Sequence, residues 1–178
     1  MPDADLLVYV KKRGAVIDRI TEIGLPMPGE QLRLVTRRKF NAVEFLTHVA
    51  VTERVEHLAA AIYSINYNAA RLMVKMIDDG LIGSADILMS NLRNGAHREK
   101  EVVVRDLFER HAKIDLFFCS SHAKVMAIKT VAGNSYVIEG SGNHADNSRV
   151  EQYVIDNDDG VYRWTLTWMQ EIREYLGQ

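Results

Sequence analysis

The sequence predicts an α/β protein, a mixed β-sheet flanked by helices on both faces, and three observations carry that reading. Between residues 57 and 118 short apolar runs alternate with stretches of helical period. Strands alternating with helices imply parallel pairing with right-handed crossovers. After Phe118 the helical stretches stop, and three strand-like runs follow closely at 123–131, 135–140 and 151–156. A last amphipathic stretch, 161–176, closes the chain, so the order is β-α-β-α-β-β-β-β-α.

Each element has its own justification. In residues 5–36, Leu6-Leu7-Val8-Tyr9-Val10 has the look of a short strand. Pro26, Pro28 and Gly29 make a loop, and Gln31-Leu32-Arg33-Leu34-Val35 alternates like a half-buried strand. From Asn41, a candidate N-cap, the spacing of Val43, Phe45, Leu46 and Val49 suits a short amphipathic helix. Residues 57–64 read as a buried strand. Residues 67–78 read as a helix with Ala70, Met73, Val74 and Ile77 on one face and Gly80 just past its end. A strand at 85–89 precedes a helix at 97–111, with Val103, Val104, Leu107 and Phe108 inward, and then a strand at 114–118. The closing helix places Val161, Trp164, Thr165, Trp168, Ile172 and Tyr175 on its apolar stripe. Residues 1–40 are an N-terminal extension of uncertain structure, an accessory layer or a dimer arm, and residues 41–178 form one domain.

Composition sets limits. At 178 residues, 47% apolar and 26% charged, the chain is long enough for one full core. No apolar span reaches the ~18 residues of a transmembrane helix, the acidic start is unlike a signal peptide, and no membrane association is expected. A lone cysteine, Cys119, excludes an intrachain disulfide and suits a reducing cytoplasm. The net charge of −2 counts against nucleic-acid binding by bulk charge, so any phosphate contact is local. Arg37-Arg38-Lys39 and the run from Arg93 to Arg98 are the candidate basic patches.

The chemistry-bearing stretch is Ser120-Ser121-His122-Ala123-Lys124, followed by Gly140-Ser141-Gly142-Asn143 and then Glu151. Residues two apart on a strand share a face, so the His122 imidazole and the Lys124 ammonium point side by side. The next strand delivers Ser141 and Asn143, again two apart. The product is a nucleophile or acid, a cation, two neutral hydrogen-bonding groups and a carboxylate, a set suited to a phosphate. Three parallel strands also end in polar residues, Ser64-Ile65-Asn66, Ser90-Asn91 and Ser120-Ser121. Ligands in open α/β sheets gather at that edge, although turn chemistry favours the same residues. His144 has the opposite parity and is set aside. His48, His57, His97 and His111 read as helix or strand residues without chemistry, and Cys119 as a packing residue.

His122-x-Lys124 followed by Gly140-Ser141-x-Asn143 and a later Glu resembles the phospholipase D superfamily, whose signature is H-x-K-x-x-x-x-D followed by G-S-x-N. The resemblance covers residues 57–176 and implies a phospholipase D-like half-fold. Where the family has Asp this chain has Lys129, and the stretch on to Gly140 is longer, as a longer hairpin at Ala132-Gly133-Asn134 would explain. The family site uses two copies of the motif, and this chain has one. Single-motif members resemble small bacterial nucleases in which two identical chains complete one site.

The resemblance implies a metal-independent phosphodiesterase, an endonuclease on DNA or RNA, working as a homodimer through a phosphohistidine. One His122 would attack phosphorus while the other protonates the leaving oxygen. Lys124, Ser141 and Asn143 would hold the phosphate oxygens. Glu151 would accept a hydrogen bond from the second ring nitrogen of His122. No cofactor or metal is expected, since no His/Cys/Asp/Glu spacing suggests one. The alternative is a catalytically inactive phospholipase D-like protein that binds nucleic acid, which Lys129 and the acidic charge balance favour.

Overall fold

The structure is a computed structural model that describes residues 12–17, 20–36, 42–91, 98–144 and 150–177, without the side chains of 12–17 and 98–101. The strand expected at Leu6–Val10, the cap at Asn41 and both basic patches fall outside the described residues or side chains. Along the chain the elements are β1 (Lys12–Ile17), a short 3-10 turn (Ile20–Glu22), β2 (Gln31–Thr36), α1 (Ala42–Thr52), β3 (Val55–Ile62) and α2 (Tyr67–Asp78). They continue as β4 (Ile82–Ser90), α3 (Arg98–Glu109), β5 (Ile114–Cys119), β6 (Lys124–Thr130), β7 (Ser135–Gly140), β8 (Glu151–Asn157) and α4 (Asp159–Tyr175). From β3 onward this is the expected order, a mixed α/β architecture.

One eight-stranded sheet runs β1-β2-β8-β7-β6-β3-β4-β5. β3, β4 and β5 are parallel, and β6 returns antiparallel to β3. Hairpin steps through β7 to β8 keep the antiparallel sense. The N-terminal stretch supplies β2, which pairs antiparallel with β8, and β1, which pairs parallel with β2. Residues 12–17 and 31–36 thus extend the same sheet at its β8 edge. The alternation seen at 31–35 is real, with Leu32, Leu34 and Thr36 buried and Arg33 and Val35 outward.

Helices lie on both faces. α1, α2 and α3 bury Phe45, Leu46, Met73, Ile77, Val104 and Phe108 against one face. α4 covers the other, over Ala59, Ala61, Leu88, Phe117, Ala127 and Val137. β3 lies between them, and its run Leu58–Ile62 is buried throughout, as a strand covered on both faces requires.

Caps fix where two helices begin. The Asn66 side chain accepts from the Ala69 N–H at 2.8 Å to start α2. Asp158 accepts from Gly160 and Val161 to start α4. Two assignments of facing need correction. Trp164 and Tyr175 are 64% and 90% exposed, whereas Thr165 of the expected stripe is buried, Val161, Trp168 and Ile172 pack against the sheet, and Tyr162 and Met169 are buried beside them. Val103 is likewise exposed, while its neighbour Val104 is buried.

Candidate active site

The sheet topology gathers the motif residues at one end of its central strands. β6 begins at Lys124 directly opposite Ile62, the last residue of β3. β7 ends at Gly140, paired with Tyr153 of β8, so Ser141 leaves the sheet beside the start of β8 at Glu151. His122 sits just ahead of β6, after the turn that follows β5, where the Ala123 N–H donates to Ser121 Oγ at 3.0 Å. Four polar groups far apart in sequence therefore meet because three antiparallel strands start or stop at the same level.

The expected side-by-side pair is present. Lys124 Nζ lies 3.1 Å from His122 Nδ1 and donates to the His122 carbonyl oxygen at 3.0 Å. An ammonium can only donate, so Nδ1 accepts and the ring proton resides on Nε2. His122 is exposed and Lys124 half-buried. Burial pulls the Lys124 ammonium below its ordinary pKa, and the negative charge of Glu151 opposes that pull.

Ser141 and Glu151 form a second unit. The Ser141 hydroxyl donates to the buried Glu151 carboxylate and accepts from the Gln152 N–H at 3.0 Å. Its single proton is thereby committed, and Ser141 would donate to a phosphate only by exchanging that partner. Among the described residues the hydrogen bond expected from His122 to Glu151 is not formed, because Nδ1 faces Lys124. Asn143 turns its Oδ1 into the interior, where it has no hydrogen-bond partner.

The glycines around Ser141 have a steric reason. A Cβ on Gly142 would stand 1.9 Å from the Tyr153 hydroxyl, and one on Gly140 would stand 2.3 Å from the Gln152 carbonyl oxygen. Only glycine lets this loop lie flat against β8. A groove of about 520 Å³ opens from His122, Lys124 and Ser141 across Val125, Glu139, Gln152 and Val154.

One residue of the site was missed in the sequence. Tyr63, the first residue after β3, has its ring centroid 4.1 Å from that of His122 and 4.8 Å from Lys124 Nζ. It reads only as one more apolar residue at a strand end. His144 is fully buried, with no partner for either ring nitrogen among the described residues. Its backbone joins Ile65 in a parallel bridge, accepting from the Asn66 N–H and donating to the Ser64 carbonyl. Burial, reinforced by the positive charge of Lys124, lowers its pKa to about 4.

No family model matches the sequence, and no curated protein matches it either. Solved structures do. Nuc, a phospholipase D family member from Salmonella typhimurium, superposes with a TM-score of 0.57 at 17% identity, covering 80% of this chain and 93% of that one. The fold is that of the phospholipase D superfamily. A polyphosphate kinase from Porphyromonas gingivalis also matches, with a TM-score of 0.59 at 11% identity over 84% of this chain. A phosphatidylserine synthase from Haemophilus influenzae matches with a TM-score of 0.54 at 9% identity over the same share. This chain spans 26% of the kinase and 40% of the synthase, so it corresponds to part of each.

On this phospholipase D-like scaffold Lys129 stands at the opposite end of β6 from Lys124. Its ammonium donates to Ser135 Oγ at 2.8 Å and Asp159 Oδ1 at 3.1 Å, tying β6 to the start of α4. The Lys129 and Ser135 hydrogen bonds hold the Asp159 carboxyl below its ordinary pKa. Lys129 is therefore spent on the fold, well away from His122. Of the other polar strand ends, Asn66 is the cap of α2, and Ser120 donates to Asn91 Oδ1 at 3.0 Å.

The other described histidines have local partners or simply pack. His57 Nδ1 meets Ser84 Oγ at 3.0 Å, with Asp86 3.4 Å from Nε2. His111 Nε2 meets Asp78 at 3.0 Å, and His48 is half-buried on α1. Cys119 is buried, which raises its thiol pKa, and it packs beside Phe117. Among the described residues no three His, Cys, Asp or Glu side chains come together as a metal set, and no helix is long and apolar enough to cross a membrane.

Proposed function

We propose that the chain is a metal-independent phosphodiesterase, an endonuclease acting on DNA or RNA, whose site is completed by a second copy of the chain. The carrying observation is the exposed His122 imidazole held 3.1 Å from the Lys124 ammonium at the mouth of a groove. An imidazole titrates near neutral pH and can serve as base, nucleophile or acid. The adjacent cation supplies the charge that a phosphoryl transition state needs. One such pair covers one side of a phosphate. A C2 axis through the groove would bring a second to the opposite side.

The reaction then runs in two displacements. His122 Nε2 of one protomer attacks phosphorus as the ester P–O bond breaks, and the partner's His122 gives its Nε2 proton to the leaving oxygen. Water next attacks the phosphohistidine, passing a proton to that same imidazole, and the N–P bond breaks. The acid is the imidazolium form, protonated on both nitrogens, and giving up its Nε2 proton leaves the neutral imidazole that later takes a proton from water. The attacking ring needs its proton on Nδ1 and an acceptor there, a part that Glu151, whose charge is felt at Lys124, would take once Nδ1 turns away from Lys124. Lys124 and Asn143 hold the non-bridging oxygens. The setting that fits is the reducing cytoplasm.

The test is cleavage of labelled single- and double-stranded DNA and RNA in excess EDTA, with His122→Ala beside wild type. The expected result is metal-free cutting that falls by at least about 1,000-fold in the variant, as loss of the nucleophile demands. Salt-sensitive binding without product at any pH would instead establish the binding-only reading.

A further inference from the structure

Tyr63 lies under both reacting side chains, its ring centroid 4.1 Å from that of His122 with the planes at 50°, and 4.8 Å from Lys124 Nζ. We propose that Tyr63 is a positioning residue of the anion site, its ring face holding the His122 imidazole and the Lys124 ammonium in the placement a phosphate requires. The inference rests on the reading of His122 and Lys124 as the phosphate-handling pair.

The need for such a residue follows from where the pair sits. His122 lies in the short segment ahead of β6, outside the strand ladder, and its side chain is exposed. Lys124 carries a long, rotamer-rich chain. Left to water, both would sample many conformers, and an anion would have to order them on arrival. A carboxylate could hold two cationic groups, but it would repel the phosphate they must bind. An aromatic face holds an ammonium through the ring quadrupole and an imidazole by tilted stacking, without placing a full negative charge at the site.

Tyr63 is well placed for that work. It follows directly on Ala59–Ile62, the most buried run of the central strand, and the Ile62–Lys124 pairing sets the ring level with the start of β6. The platform is therefore rigid although the groups upon it are exposed.

The test compares Tyr63→Leu, which removes the ring, with Tyr63→Phe, which keeps it; Tyr63→Gln is a second ring-free variant should the leucine variant not fold. Two readouts are used: steady-state cleavage of a phosphodiester in EDTA, and titration with inorganic phosphate followed through the His122 ring resonances. The ring-free variants should lose about 100-fold in kcat with KM within about threefold, the pattern of misplaced reacting groups. Their His122 resonances should lose the displacement caused by a ring current 4.1 Å away. Tyr63→Phe should match wild type in both readouts. A ring-free variant with wild-type kcat would overturn the inference, as would a phenylalanine variant that falls equally far. If wild type itself does not turn over, the proposed reaction fails, and the titration alone decides: ring-free variants with wild-type His122 resonances and phosphate affinity overturn the inference.

Discussion

His144 stands next to the motif in sequence and behaves unlike His122. Strand parity sends it inward, where it is fully buried with neither nitrogen partnered among the described residues and a pKa lowered to about 4. In the unfolded chain the same imidazole titrates near its ordinary 6.5. Between these values the unfolded state binds the extra proton, so stability is complete above about pH 6.5 and falls as the pH drops toward about 4. At about 1.4 kcal/mol per pH unit, the drop from 6.5 to about 4 amounts to about 3 kcal/mol. Chemical denaturation across pH 7 to 4 should show that decline in wild type. His144→Phe, which fills similar space and carries no proton, should flatten it. An equally steep decline in the variant would place the titrating group elsewhere. Parity alone assigned His144 a direction, and only the fold revealed that no described residue hydrogen-bonds its ring. Tyr63 was illegible for the converse reason, since its role depends on a contact between β3 and the segment ahead of β6 that no local pattern encodes.

At the scale of elements, the loop after β7 illustrates how backbone chemistry builds the site. Gly142 faces the Tyr153 hydroxyl so closely that a methyl group there cannot fit without moving Tyr153, itself 1% exposed. Gly142→Ala should therefore cost about 1–3 kcal/mol, the usual penalty of overpacking. It should also displace Ser141, whose hydroxyl holds Glu151. The expected result is a lower melting temperature together with weakened phosphate binding, measured by calorimetry and by titration; a variant unchanged in both would refute the steric reading of the Gly-Ser-Gly stretch. The succession of strands and helices from β3 onward was legible because each element carries its own period. α4 was read with its apolar stripe slightly misplaced, because Trp164 and Tyr175 are large and apolar yet exposed. Thr165, which is buried, satisfies its hydroxyl on the Val161 carbonyl and so needs no solvent. β2 was hard to place in the sheet because its pairing with β8 is a contact across 115 or more residues, for which sequence periodicity offers no signal.

For the whole molecule, the sheet has two ends with different work. One end carries His122, Lys124 and Ser141 around a groove, with buried Glu151 hydrogen-bonded to Ser141; the other carries Lys129, Ser135 and Asp159, which fasten the β6–β7 hairpin to α4. The substitution of Lys129 for the family's aspartate falls at the fastening end, so it changes how the hairpin is held without removing a group from the groove. The exposure of His122 and the open groove are what the proposed completion by a second copy would require. The superposition covers 93% of Nuc, so the two share the fold over nearly all of that protein's length.

The most direct test of that account is to trap the covalent intermediate. Wild type is mixed with a labelled phosphodiester in excess EDTA, quenched by alkaline denaturant within one turnover, and mapped by mass spectrometry. The account predicts an acid-labile phosphoryl adduct on His122, on one chain of each pair, and none in His122→Ala. Cleavage that proceeds with no adduct, or with an adduct on another residue, would contradict it.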